Sequence, residues 1–101
     1  MKLLLCNVPT ADAKVLAREV VTEFGAACVN LIGPVLSVYM WEGKLCEDKE
    51  MTMVIKVASE RAEQLVERLA ANHPYDVPEV VSLSVDESSS YAPYLNWVEH
   101  T

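Results

Sequence analysis

The sequence predicts an α+β fold in the order strand–helix–strand–strand–helix–strand, closed by a short C-terminal helix. Three observations carry this. Apolar residues recur at helical spacing in two stretches, at Ala13, Leu16, Ala17, Val20 and Phe24 and again at Ala62, Leu65, Val66 and Leu69. Short apolar runs at Leu3–Val8 and Glu79–Val85 flank them as strands. Between the two helices lies Cys28–Val57, which reads as one very long β-hairpin. That order is the ferredoxin-like split βαβ arrangement. Right-handed crossovers then place the first strand beside the last, antiparallel, in one sheet.

The elements follow in order. Leu3–Val8 is nearly all apolar and is bounded by Pro9, as a buried central strand is. Thr10 is placed to cap the first helix, with Asp12 complementing its dipole and Gly25 stopping it. Cys28–Trp41 is rich in strand formers, and Met51, Met53, Ile55 and Val57 alternate on the return strand. A three-residue turn, Glu42-Gly43-Lys44, with Gly43 left-handed and a bulge, predicts that odd residues face odd ones across the hairpin. Val29, Leu31 and Val35 then share a face with Met51, Met53, Ile55 and Val57. Ser59 is placed to cap the second helix, which Pro74 ends by disfavouring helix at His73. Val81, Leu83 and Val85 share a face of the last strand. Ser88–Ser90 caps the final helix, which Tyr94, Leu95, Trp97 and Val98 pack down.

The hairpin is too long for its own subunit. Fourteen residues at roughly 3.3 Å each span about 46 Å, whereas a domain of this size has a radius of gyration of about 13 Å. The overhang carries Val35, Leu36, Val38, Tyr39, Met40, Trp41 and Leu45, an apolar arm that invites pairing with another chain. The reading is a homo-oligomer built by these arms. The plainer alternative breaks the first strand at Gly33-Pro34 and folds the tip back.

Residues 1–101 make one domain by length. A net charge of −7 argues against nucleic acid and anionic membranes as partners. No stretch reaches the length of a membrane span, and the apolar run after Lys2 is too short for a signal peptide. Three widely spaced cysteines without a CxxC fit a reducing cytoplasm. An RNA-recognition domain of this topology needs aromatic residues on its third strand, and Leu45–Val57 has no Phe, Tyr or Trp. No nucleotide loop, nucleophile elbow or HExxH is present, so the reading is not an enzyme.

Cys6, near the end of the first strand, and His73, before the last, remain. Antiparallel neighbours bring the end of one strand to the start of the other, so the two side chains converge at one sheet edge. Thiolate and imidazole suit copper or zinc. Two ligands fall short of the four of a structural zinc site, so Asp76, Glu79 or a neighbouring subunit would complete the set. The same residues also read as a buried core thiol and a loop imidazole bonded to backbone. Cys28 reads as a small core residue, Cys46 as an exposed thiol near the tip, and Glu47, Asp48 and Glu50 as a solvated face. The aromatic residues Tyr39, Trp41, Tyr91, Tyr94 and Trp97 read as packing and interface groups.

Ala26-Ala27-Cys28-Val29-Asn30, then Tyr39-Met40-Trp41-Glu42-Gly43-Lys44, then His73-Pro74-Tyr75-Asp76-Val77-Pro78-Glu79 go beyond this generic reading. In this order they closely resemble the CutA divalent-cation tolerance family, over nearly the whole chain. The resemblance implies a ferredoxin-like subunit in an intertwined homotrimer, PII-like in architecture, whose long hairpins embrace neighbouring subunits. It implies a role in tolerance of copper and other divalent ions, with copper ligands at Cys6 and His73. Asn72 stands where some members carry a second His. The expectation is a non-enzymatic, cytoplasmic homotrimer that binds divalent metal, copper or also zinc. A PII-like signalling trimer, with a small ligand in intersubunit clefts lined by Trp41, Tyr75 and Tyr94, is the alternative. A purely structural interaction module is the third reading.

Overall fold

The structure, a computed structural model, describes residues 1–101. It contains β1 (Lys2–Pro9), α1 (Ala13–Thr22), β2 (Cys28–Trp41), β3 (Lys44–Val57), α2 (Ser59–Asn72), β4 (Val80–Ser84) and α3 (Ala92–Glu99), with one 3-10 turn at Glu87–Ser89. The strands form one antiparallel sheet in the order β2-β3-β1-β4. β1 is therefore central and lies beside β4, as the crossover rule requires.

One face of the sheet is covered by α1 and α2. Successive strand residues point to opposite faces, so Leu4, Cys6 and Val8 of β1 join Met53, Ile55 and Val57 of β3 in the core. Leu16 and Val20 of α1 and Leu65 and Leu69 of α2 close it, with Leu4, Val20, Leu65 and Leu69 fully buried. The Phe24 ring stays in the core although α1 ends at Thr22, and the Arg68 guanidinium lies over it. Gly25, at φ +89°, makes the left-handed stop read from the sequence. The opposite face is open. Ile32, Val81 and Leu83 stand exposed on it, and α3 covers it at one end, where Met1, Ala27 and Val98 pack with Leu3, Val85 and Leu95. β4 ends at Ser84, so Val85 lies just beyond the strand, on the part of this face that α3 covers. Tyr94 and Trp97 are partly exposed rather than packed under α3.

The helix starts differ from the expected ones. Asp12, Ala58 and Tyr91 occupy the cap positions, in place of Thr10, Ser59 and Ser88–Ser90, and none caps through its side chain. At α2 a single extended residue, Ala58, separates strand from helix, and its carbonyl accepts the Arg61 N–H at 3.0 Å. The chain turns too sharply there for Ser59 to lie outside the helix.

The hairpin turn also differs. It has two residues, Glu42 and Gly43, at φ +50° and +78°, with Trp41 paired to Lys44. Two positive φ values define the turn whose twist matches antiparallel strands. The irregularity sits instead at Gly33-Pro34, between the Ile32–Thr52 and Val35–Glu50 pairs. Pro34 has no N–H to give to the ladder, and Gly33 at φ +140° has no room for a side chain: a Cβ would sit about 3.0 Å from the Val35 N. Below this bulge, Val29 and Leu31 face Ile55 and Met53, odd on odd as predicted. Above it the parity flips, and Val35 faces Glu50 rather than Met51. The flip has a functional result. It turns Ser37, Tyr39 and Trp41 onto the same open face as Asp48 and Glu50. The strand continues through Gly33-Pro34, so the arm projects. The subunit measures 44 × 27 × 21 Å, and Leu36, Val38, Met40 and Leu45 on the arm are all more than half exposed.

Glu42 holds a left-handed conformation that costs a non-glycine residue about 1 kcal/mol. Asn tolerates it better. Glu42→Asn should therefore stabilise the fold by about 0.5–1 kcal/mol, read from urea unfolding midpoints. An unchanged or lowered midpoint would show that the turn is not strained.

Candidate functional site

Cys6 and His73 do meet, through the backbone of Asn7. β1 alternation points the Cys6 side chain into the core, where it is fully buried. Its Sγ lies 3.8 Å from the Asn7 carbonyl. Burial pushes the thiol up to about 12, and the carboxylates of Glu79 and Glu50 add to the shift. His73 directly follows α2 in an extended conformation, as a residue before proline prefers. The residue is 9% exposed. Nε2 lies 2.8 Å from the same Asn7 carbonyl, and Nδ1 accepts the Tyr75 N–H at 3.1 Å. A carbonyl can only accept, so Nε2 is the donor in this pair and Nδ1 the acceptor from the backbone. Both ring nitrogens are thus engaged. Asp76 and Glu79 do not complete a ligand set, because no three His, Cys, Asp or Glu side chains of the subunit come together closely enough to hold an ion.

Beside this pair opens a cavity of about 740 Å³ on the open face of the sheet. The outer hairpin supplies Tyr39, Trp41, Asp48 and Glu50, and the loop after His73 supplies Tyr75, Asp76 and Glu79. Phenol–carboxylate pairs organise it. The Tyr75 hydroxyl donates to Glu50 Oε2 at 2.7 Å, and the Tyr39 hydroxyl donates to Asp48. Burial first, and then Glu50, pushes the Tyr75 phenol well above its ordinary range. The hydrogen bond to Asp48 pushes Tyr39 up to about 12. Asn7 ties the floor together, donating to Glu79 at 3.4 Å and accepting from the Thr52 hydroxyl at 2.7 Å.

Several expectations change here. Glu50 is 6% exposed and is not part of a solvated face. It lies opposite Val35 and Pro9 at the foot of the arm, and Tyr75 packs onto it from the loop after α2, a contact that periodicity does not disclose. Trp41 and Tyr75 line this cavity of the single subunit, and Tyr94 lies outside it. Cys28 pairs with Lys56 on the half-covered open face rather than in the core.

A family model described as CutA1 divalent ion tolerance protein matches residues 2–101. The chain belongs to the CutA1 divalent ion tolerance family. It is 37% identical over 98 residues to the divalent-cation tolerance protein CutA of Thermus thermophilus, covering 96% of this chain and 93% of that one. It is 46% identical over 86 residues to Protein CutA of Mus musculus, covering 85% of this chain. It spans only about half the length of that relative, 48%. Among solved structures, the PII-like protein CutA from Nostoc sp. PCC 7120 in apo form superposes with a TM-score of 0.95 at 39% identity, over 99% of this chain and 95% of that one. The CutA resemblance of the sequence and its ferredoxin-like, PII-like fold therefore hold.

Proposed function

We propose that this CutA family member is a non-enzymatic homotrimer acting in divalent-cation tolerance, and that it binds copper, or another divalent ion such as zinc, at Cys6 and His73. The observation that carries this reading is the convergence of both side chains on the Asn7 carbonyl in a chain matched to the family from residue 2 to 101. Binding requires His73 to release that carbonyl and Cys6 to lose its proton, and a neighbouring subunit supplies the remaining ligands. The trimer is favoured by the exposed apolar arm and by Val81 and Leu83 on the open face. The non-enzymatic reading is favoured by the same geometry. The buried thiol is held protonated, and the imidazole beside it is hydrogen-bonded to backbone at both nitrogens. No helix is long and apolar enough to cross a membrane. The three free cysteines favour a reducing compartment such as the cytoplasm.

Copper titrated into the wild type and into Cys6→Ala and His73→Ala tests the ligands. Each variant should bind at least tenfold more weakly. Identical affinities would remove both residues from the site. A second reading, a PII-like trimer that responds to a small ligand, is favoured by the 740 Å³ cavity, whose size falls within the range of small-molecule sites.

A further inference from the structure

The cavity chooses the sign of its ligand. Asp48, Glu50, Asp76 and Glu79 line it, and no Lys, Arg or His does. Glu50 is the telling residue. It is more than nine-tenths buried, yet it forms no salt bridge; the Tyr75 hydroxyl on Oε2 is its one hydrogen-bond partner. A buried carboxylate without a countercharge is expensive, so a cation arriving in the cavity gains more there than at the surface. An anionic ligand such as a nucleotide meets four carboxylates and nothing to pair with.

The cavity also chooses the size of that cation. Its carboxylates are spread around the walls, and no three converge as a metal requires. Its volume is far larger than an ion needs. Trp41 presents an aromatic surface, which attracts ammonium groups through its π face. Val77 and Pro74 offer apolar contact for a hydrocarbon stem. We propose that this cleft binds an organic polycation of the polyamine class, with ammonium groups on Glu50 and the neighbouring carboxylates and its aliphatic chain against Trp41. This deepens the second reading above by naming the ligand class, and it rests on neither copper nor Cys6.

Calorimetric titration of the intact oligomer with spermidine tests it, with magnesium chloride and ATP as separate titrants. Spermidine should bind, and Glu50→Gln, which keeps an acceptor for Tyr75, should weaken it at least tenfold. Trp41→Ala should weaken it several-fold. Glu63→Gln, on the exposed side of α2, should leave it unchanged. Should Glu50→Gln fail to fold, Asp48→Asn at an exposed position carries the same expectation of weakened binding. Spermidine affinity equal in all variants, or matched by magnesium, would overturn the proposal as mere charge screening. Binding of ATP in its place, lost in Trp41→Ala, would overturn the ligand class and leave the cleft as a ligand site. No binding by any titrant would overturn both.

Discussion

Leu36→Asp combined with Val38→Lys should leave the subunit folded and abolish its assembly. Both side chains stand on the projecting arm, 60% and 56% exposed. In an isolated subunit, exposed substitutions of this kind shift stability by no more than about 0.5 kcal/mol each. The new charges even suit their cross-strand neighbours, since Leu36 pairs with Lys49 and Val38 with Glu47. In a trimer whose arms lie against neighbouring subunits, the balance reverses. Each change there forfeits the burial of an aliphatic side chain, about 1.5–3 kcal/mol, and adds the desolvation of an unpaired charge, which costs several kcal/mol more. Three subunits carry both changes, so the loss exceeds what an interface of ordinary size tolerates. Sedimentation velocity should show a single subunit with an unchanged circular dichroism spectrum. A variant that still sediments as a trimer would place the interface elsewhere, on the open face around Val81 and Leu83.

That arm shows how much of the molecule its sequence discloses. Strand order, both helical stripes and the length of the hairpin follow from periodicity, because burial on one face imposes period two or 3.6 on any sequence that satisfies it. Cys6 and His73 could be brought together from 67 residues apart for the same reason: antiparallel placement of β1 against β4 follows from handedness alone. What escaped was set by single backbone positions. The three-residue turn and the two-residue turn differ by one residue, and a bulge at either end of the strand restores the parity of the inner half. Only the outer half distinguishes them, and there both faces of the arm are apolar or mixed, so the pattern holds no vote. The cavity depends on that outer half. Tyr39 and Trp41 reach it because the bulge lies at Gly33-Pro34. Glu50 escaped for a related reason. Its charge suggests water, and only the packing of Tyr75 from a loop 25 residues away removes it from solvent. The family motifs did mark these residues, since Tyr75 and Glu79 stand in the same stretch as His73.

The Cys6 proton should make the protein's stability fall between about pH 9 and pH 12. The thiol is raised from an ordinary value of 9.0 to about 12, chiefly by burial. Below pH 9 both the folded and the unfolded chain hold this proton, and the group contributes nothing to the pH dependence. Above it the unfolded chain releases the proton while the folded chain keeps it. The unfolded state then binds fewer protons, and stability drops by up to about 1.4 kcal/mol per pH unit from this one group. Tyr39 and Tyr75, also raised, act in the same direction above their ordinary value of 10.0. Their share cancels when wild type is compared with Cys6→Ala, which leaves them in place. The variant should be less stable at neutral pH, because it opens a small hole in the core beside Met53. Its deficit should shrink steadily as pH rises from 9 to 11, measured by urea unfolding at each pH. A deficit that stays constant would mean that the folded thiol ionises as freely as the unfolded one. The same proton links stability to metal. A soft ion at Cys6 must displace it, so copper affinity in the wild type should climb about tenfold per pH unit below 12 from this group. In Cys6→Ala that part of the climb should vanish, which separates a metal held by the thiol from one held by the carboxylates of the cleft.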